Sequence, residues 1–174
     1  MSARQILLAG VPAPLLDALR PLLAARALTT LVAGEDGWPA EPAALAHRLA
    51  QRRPPLLALV NGLAARLALP GKAPRPFPPY PLYEAAVRCL PPDGGCLVSL
   101  FDREALDQAA VRMLMGRTRP AHPGQRLCHN AMALQGPDSG PILQRRAETL
   151  LWLATLPACE PQGAFLRGYP MEEK

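Results

Sequence analysis

The sequence of 174 residues contains no uninterrupted apolar run of the roughly 18 to 20 residues that a membrane helix requires. Its first residues, MSARQILLAG, lack the charged region, the long apolar run and the cleavage site of a secretory signal. The chain also has no P-loop, no Gly-x-Ser-x-Gly elbow and no His-Glu-x-x-His motif. These absences argue against three common enzyme classes, and we expect a cytoplasmic protein with no membrane partner.

Cysteine and histidine are few and show none of the spacings of a metal site. The four cysteines include no Cys-x-x-Cys pair, so neither a zinc site nor a thioredoxin-like redox motif is expected. Cys128 and His129 are neighbours in a predicted strand, where successive side chains point to opposite faces, so they are poorly placed to share an ion or to act together on a substrate. We expect no metal site, and we expect the thiols to be small buried side chains in a reducing compartment.

The charge of the chain is positive but identifies no partner. The formal net charge is +5, with seventeen arginines and two lysines, and the arginines are spread along the chain singly or in pairs. Aromatic residues make up only 5% of the sequence, so few side chains could stack on bases, and no recognition motif accompanies the charge. We expect a solvated basic surface and no nucleic-acid partner.

Apolar residues are abundant and occur in short runs separated by helical patterns. They make up 49% of the sequence, enough for a substantial core, and the length fits one domain, residues 1–174, better than two domains with thin cores. The short apolar runs predict buried strands. These runs are Gln5–Ala9, Leu28–Ala33, Leu56–Asn61, Cys96–Leu100, Arg126–Leu134 and Ala164–Leu166.

Helical patterns fill the segments between the predicted strands. The first helix begins near Pro12 and Pro14, because proline is tolerated in a first turn but costs about 3 kcal/mol in a helix interior. Pro21 within the same pattern therefore predicts a kink or a short helix. A proline-rich stretch at 69–81 predicts an irregular loop. The other predicted helices are Glu41–Gln51, Leu82–Leu90, Arg103–Gly116 and Ile142–Leu156.

The alternation of strands and helices predicts a parallel sheet, because parallel neighbours need a crossover and a helix is the usual one. Right-handed crossovers then place helices on both faces of the sheet. The predicted fold class is therefore α/β, a doubly wound parallel sheet in a Rossmann-like three-layer sandwich.

Three segments, taken in order, carry a resemblance to a known family. Leu59–Gly62 (LVNG) is similar to an Asn-Ala-Gly region after a strand, and Gly94–Ser99 (GGCLVS) to a glycine-rich turn and strand before a catalytic serine. Ala147–Gly168 is similar to a final helix, loop and strand. With these elements the chain resembles the short-chain dehydrogenase/reductase family over most of its length, although it is shorter than a typical member. The resemblance implies NAD(P) as cofactor and oxidoreductase activity.

The family's cofactor loop, Thr-Gly-x-x-x-Gly-x-Gly after the first strand, is largely lost. Gly10 matches the first glycine, but Pro14 and Leu16 replace the second and third. Glycine lets the backbone approach the pyrophosphate, whereas proline removes an N–H donor and leucine adds a branched side chain. Glu35 or Asp36 could face a ribose hydroxyl in an NAD-binding protein, but without the loop we expect a solvated carboxylate and no cofactor.

The family's catalytic set is altered as well. It combines a serine from a strand with a Tyr-x-x-x-Lys pair on the next helix, where the lysine lowers the tyrosine pKa for proton exchange. The positions of the pair here are Leu100 and Glu104, neither of which can substitute. Ser99 is expected inside its strand rather than at an active-site end. We therefore predict no catalytic residues.

Three functional hypotheses remain. The first is a catalytically inactive short-chain dehydrogenase-like protein that acts as an interaction or structural subunit, as a homo-oligomer or with a related active dehydrogenase. Its interface candidates, on a second apolar face of two helices, are Tyr83, Val87, Val111 and Met115; alternatively, both faces lie in one core. The second hypothesis is an atypical NAD(P)-dependent oxidoreductase, and the third is a small-ligand-binding Rossmann module.

Overall fold

Strands and helices alternate along the whole of the described structure. The computed structural model describes residues 5–62, 80–101, 105–134, 140–156 and 163–166. The strands are β1 (Gln5–Ala9), β2 (Thr29–Val32), β3 (Leu56–Asn61), β4 (Gly95–Phe101), β5 (Leu127–Ala133) and β6 (Phe165–Leu166). The helices are α1 (Ala13–Ala25), α2 (Pro42–Arg52), α3 (Tyr80–Val87), α4 (Ala105–Arg117) and α5 (Gly140–Ala154).

The six strands form one parallel sheet in the order β2-β1-β3-β4-β5-β6. The chain leaves β1 toward one edge to form β2 and then returns to form β3 on the other side of β1. This reversal between β1 and β3 is the topological switch point, where ligands of doubly wound proteins bind beyond the carboxyl ends of the strands. The predicted fold class, an α/β doubly wound parallel sheet, is therefore confirmed.

Two apolar clusters cover the two faces of the sheet. On one face, α1 and α5 pack over alternate residues of the central strands, including Ile6, Val60 and Val98. On the other face, α2 and α3 pack over the intervening residues, among them Leu7, Leu59 and Leu97, and α4 covers a smaller cluster at the end of β4 and β5. Both faces of the strands are buried, which explains why their sequences are continuous apolar runs.

Two local expectations need correction. Helix α1 continues through Pro21, so it is not short, and its N-terminal end has Pro12 at the N-cap with another proline in the first turn, as predicted. The proline-rich stretch at 69–81 falls outside the described residues up to position 79, but α3 already begins at Tyr80. The loop therefore ends before Pro81, because proline is tolerated in a first helical turn. The described helices were also compared with the length and hydropathy of a membrane span, and none of them is long and apolar enough to cross a membrane.

Candidate functional site

The switch point brings the end of β1 to the beginning of α1. Gly10 follows β1 with φ of 64°, a conformation that glycine adopts without strain. The first helical hydrogen bond of α1 joins the Leu16 amide to the Pro12 carbonyl at 2.9 Å. No side chain caps this helix. The segment thus has the strand–turn–helix geometry that binds phosphates in other doubly wound proteins.

A pocket of about 180 Å³ lies between the start of α1 and the ends of β1 and β2. Gly10, Val11, Leu16 and Ala33 are among the residues that line it. Glu35 is the one acidic residue in its lining, and both of its carboxylate oxygens accept hydrogen bonds from Arg20, at 2.7 and 2.8 Å. Both side chains of this ion pair are more than 40% exposed, so Glu35 is the solvated carboxylate that the sequence predicts.

The residues of this pocket do not fit a dinucleotide cofactor. Pro12 and Pro14 supply no N–H groups, so the first turn of α1 lacks two of the donors that a pyrophosphate would need. The Leu16 side chain lines the pocket where the family has glycine. The volume is also below the roughly 300 Å³ at which small-molecule sites begin. We therefore derive no chemistry through NAD(P).

The backbones that follow β1 and β3 lie in close contact. The Gly62 amide donates a hydrogen bond to the Ala9 carbonyl at 2.7 Å. A Cβ atom at Gly62 would clash with the carbonyl oxygen of Gly10. Glycine at position 62 thus allows the segments that follow β1 and β3 to pack closely against each other.

A second polar feature lies deeper in the molecule and joins three strands to a helix. The Asn61 amide at the end of β3 donates to the Tyr83 hydroxyl at 2.9 Å. The Tyr83 hydroxyl is 2.7 Å from Ser99 Oγ, which in turn is 2.9 Å from His129 Nε2. The rings of Tyr83 and His129 are stacked, with centroids 5.3 Å apart. We call these four residues, Asn61, Tyr83, Ser99 and His129, the polar cluster.

Burial dominates the electrostatics of the polar cluster. Asn61, Tyr83 and Ser99 are fully buried, and His129 is 5% exposed. Burial raises the pKa of Tyr83 to about 12, although the hydrogen bonds from Ser99 and Asn61 oppose the rise. Burial also lowers the pKa of His129 to about 3, so that its ring is neutral near pH 7.

Not every hydrogen-bond donor and acceptor in the polar cluster has a partner. Tyr83, Ser99 and the neutral His129 ring each carry one polar hydrogen, but only two hydrogen bonds join the three side chains. His129 Nδ1 is buried and has no hydrogen-bond partner. One donor or acceptor of the cluster is therefore left unsatisfied whichever tautomer the ring adopts, and buried polar groups of this kind cost stability.

The polar cluster contains a tyrosine and a serine, two of the three residue types of the resembled catalytic set. Tyr83 lies on the helix before Ser99 rather than after it, and the residue four positions on is the buried Val87 instead of a lysine. Among the described residues no cation acts on Tyr83, and the hydrogen bonds with Ser99 and Asn61 lower its pKa by less than burial raises it. Leu100, one of the two positions that match the family's pair, is buried in β4, whereas Glu104 lies outside the described residues.

Sequence reasoning placed Ser99 correctly inside a strand but missed the polar cluster. It did not connect Asn61, Ser99 and His129, and it assigned Tyr83 to an interface. A signal was present, because all three strand residues are polar positions in otherwise apolar runs. A polar side chain in a strand buried on both faces must find a hydrogen-bond partner. Tyr83 is the partner of Asn61 and Ser99, and Ser99 is in turn the partner of His129.

The expected exposure of the interface candidates is wrong for three of the four. Tyr83 and Val111 have no exposed surface, and Val87 is 2% exposed. Met115 is partly buried and packs against the cluster that contains Val111. The four candidates therefore pack within the chain's own core, although α4 also has an exposed side that includes Met113. A surface for association must be sought elsewhere.

The described cysteines are buried thiols, as predicted. Cys89, Cys96 and Cys128 are each less than 10% exposed, and Cys159 lies outside the described residues. Cys128 and His129 point to opposite faces of the sheet, which confirms the expectation from strand geometry. In the part of the chain that the structure describes, no three histidine, cysteine or acidic side chains come together as metal ligands.

Two solved structures of oxidoreductases of the short-chain dehydrogenase/reductase family from Brucella ovis resemble this chain. One, a complex with a partially ordered NAD, is 14% identical over 95% of this chain and 99% of that chain, with a TM-score of 0.54. The other is 14% identical over 94% of this chain and 98% of that chain, with a TM-score of 0.59. No family model and no curated protein matches the sequence. The fold of this chain is therefore similar to that of the short-chain dehydrogenases/reductases.

Proposed function

We propose that this chain is a catalytically inactive protein with a short-chain dehydrogenase fold, which acts as an interaction or structural subunit. The observation that carries the proposal is the burial of the polar cluster. Tyr83 and Ser99 have no exposed surface, and the pKa of Tyr83 is raised to about 12. A proton-transfer group works best with a pKa near the working pH and must reach the substrate, and Tyr83 meets neither condition.

The pocket beside α1 supports the same proposal. Its two prolines and Leu16 remove the donors and the space that a pyrophosphate needs. A protein that neither holds the cofactor nor presents a proton donor retains only the scaffold. Scaffolds of this kind are useful where their outer surface binds another subunit, which is either a second copy of this chain or a related active dehydrogenase.

Helix α5 offers a surface for that binding. Trp152 is 49% exposed and Ile142 is 39% exposed, and both lie on α5. At about 100° per residue, their ten-residue separation places them some 80° apart around the helix, so one flat partner could cover both. Glu148 on the same helix is exposed and would lie at the charged rim of such an interface. We assign the interaction surface to this part of α5.

Light scattering after size-exclusion chromatography tests this proposal. We expect the wild-type chain to have the mass of an oligomer, and Trp152→Glu to reduce it to a monomer, because a charge on a buried interface side chain goes unpaired. Met113 on α4 is also exposed, at 45%, and Met113→Glu serves as the matched control that leaves the mass unchanged. A monomeric wild type would exclude the homo-oligomer. Loss of the oligomer in the Met113 variant alone would move the interface to α4.

The alternative is an NAD(P)-dependent oxidoreductase, and one observation favours it. The pocket lies at the switch point beside α1, and Glu35 lines it at the place where an acidic residue binds a ribose in NAD-binding proteins. The two readings differ in nucleotide affinity, since an intact cofactor site would bind in the micromolar range, about −8 kcal/mol. A small-ligand-binding module is the third reading, and it follows from the fold alone, since ligands of doubly wound proteins bind beyond the carboxyl ends of the strands.

A further inference from the structure

Two cysteines that are far apart in the sequence lie side by side in the sheet. Cys96 on β4 and Cys128 on β5 are register partners on adjacent parallel strands. Both side chains point into the apolar cluster beneath α1 and α5. Neighbouring strands lie about 4.8 Å apart, which is within the range of Cα separations, about 4.4 to 6.8 Å, that a disulfide can bridge. The sequence offers no sign of this pairing because it has no Cys-x-x-Cys motif.

The surroundings of the two sulfurs differ. The Asn130 amide donates a hydrogen bond to Cys128 Sγ at 2.9 Å, whereas Cys96 Sγ donates to the Leu156 carbonyl at 3.1 Å. The thiol of Cys96, with the Asn130 amide, lowers the pKa of Cys128. The neighbouring Cys128 and burial raise the pKa of Cys96. Cys128 is therefore the thiol that ionises first.

Cys89 provides a contrast within the same chain. It lies in the cluster on the opposite face of the sheet, and its Sγ contacts the Leu49 carbonyl at 3.8 Å. Burial raises the pKa of Cys89 to about 11. It has no neighbouring cysteine among the described residues of its cluster, and we expect it to remain a thiol.

We propose that Cys96 and Cys128 form a redox pair, which a hydroperoxide oxidises to a disulfide that joins β4 to β5. The Cys128 thiolate attacks one peroxide oxygen, the O–O bond breaks, and the other oxygen takes up a proton and leaves as an alcohol or as water. The resulting sulfenic acid on Cys128 is then attacked by Cys96, which gives up its proton as the S–O bond breaks and water leaves. The two thiols lose two electrons and the hydroperoxide gains them.

Access to the pair requires a local opening. Cys96 is 1% exposed and Cys128 is fully buried. The carbonyl that accepts the Cys96 hydrogen bond belongs to Leu156, which follows α5 and is only partly buried. Displacement of this end of α5 would open the pair from the Cys96 side without unfolding the sheet, so that a small peroxide reaches Cys128 beside it. We expect hydrogen peroxide, a small oxidant, to react faster than a bulky disulfide reagent.

Peptide mapping of the folded full-length chain after treatment with hydrogen peroxide tests the proposal. We expect a reducible cross-link between the peptides of Cys96 and Cys128, with Cys89 recovered as a thiol. In Cys96→Ala, dimedone should trap a sulfenic acid at Cys128, whereas in Cys128→Ala the Cys96 thiol should persist. Cys89→Ala is the matched control and should form the cross-link at the wild-type rate. Circular dichroism of each variant shows whether it is folded.

Three results would overturn the proposal. One is recovery of both thiols from the folded chain under peroxide concentrations that oxidise them in urea. Another is oxidation of Cys128 to a sulfinic acid without a cross-link. The third is a disulfide that links either cysteine to Cys159 instead. Each measurement reports the oxidation state of the cysteines, so its result does not depend on oligomer formation or on nucleotide binding.

Discussion

At the scale of single residues, burial determines which chemistry the side chains can perform. The hydroxyl oxygens of Tyr83 and Ser99 are 2.7 Å apart, a distance that would suit proton exchange in an open site. Neither side chain has exposed surface, and among the described residues no cation compensates for the burial of Tyr83. The polar cluster instead ties α3 to three central strands, and its contribution is to stability.

This role predicts the effect of Tyr83→Phe. The substitution keeps the ring but removes the hydroxyl that accepts from Asn61 and bonds Ser99. We expect the free energy of unfolding to fall by about 1–3 kcal/mol, since polar groups of the cluster lose a partner in the core. Urea denaturation measures it. Tyr80→Phe, which removes a more exposed hydrogen bond to the Arg117 carbonyl, is the control and should cost less than about 1 kcal/mol. Equal losses would contradict a structural role for the cluster.

His129 predicts a pH dependence of stability. Its pKa is about 3 in the folded chain and about 6.5 when unfolded, so below pH 6.5 the unfolded state binds the extra proton. Burial of the neutral ring therefore does not reduce the free energy of unfolding above pH 6.5. Below pH 6.5 this free energy falls progressively until the pH reaches about 3. Denaturation at pH 7 and pH 5 should show a loss on the order of 2 kcal/mol. The loss should disappear in His129→Gln and persist in the control His47→Gln, which alters an exposed histidine. An unchanged slope in His129→Gln would refute this assignment.

At the scale of secondary structure elements, α1 shows how tertiary packing overrides local propensity. Leu15, Leu19 and Leu23 are buried against the sheet and hold the helix across Pro21, which is exposed. The proline removes one backbone hydrogen bond from the helix interior, and the packing of the apolar stripe compensates for the loss.

Pro21→Ala should therefore stabilise the chain. Alanine restores the amide that can donate to the Asp17 carbonyl, and no buried contact is lost. We expect the free energy of unfolding to rise by about 1–2 kcal/mol. This is less than the full helix-propensity difference, because alanine also gives the unfolded chain more conformational entropy than proline does. Pro14→Ala in the first turn, where an amide has no helical partner, is the control and should give no gain. A destabilised Pro21 variant would show that α1 is built around its proline.

Most elements were predictable because a strand that is buried on both faces needs apolar residues at nearly every position. β1 and β3 match their predicted bounds, and β2, β4 and β5 differ by one residue at each end. Apolar runs identify strands that are covered on both faces, and proline and glycine mark their ends. The exposure of α3 and α4 was not predictable, because two apolar faces on a helix fit an oligomer and an enclosed core equally well. The structure buries most of α3 and the Val111 side of α4, whereas Met113 on α4 is exposed.

At the scale of the whole molecule, the fold was accessible from the sequence but the polar cluster was not. The order of strands and helices indicates the sheet topology, whereas the cluster depends on which side chains three strands and one helix bring together. Tyr83 occupies an apolar helix face, and only the structure shows that its hydroxyl meets Ser99. The same holds for Cys96 and Cys128, which 31 intervening residues separate in the sequence but the register aligns.

The central claim is that this scaffold has lost its nucleotide site, and a thermal-shift titration with NADH and NADPH tests it most directly. A ligand at a hundred times its Kd would stabilise the folded chain by about 2.7 kcal/mol, which corresponds to a Tm increase of several degrees. An active short-chain dehydrogenase measured alongside provides the positive control. We expect no change in the Tm of this chain at millimolar concentrations of either nucleotide. A saturating increase at micromolar concentrations would show that Pro14 and Leu16 are tolerated, and the oxidoreductase reading would replace ours.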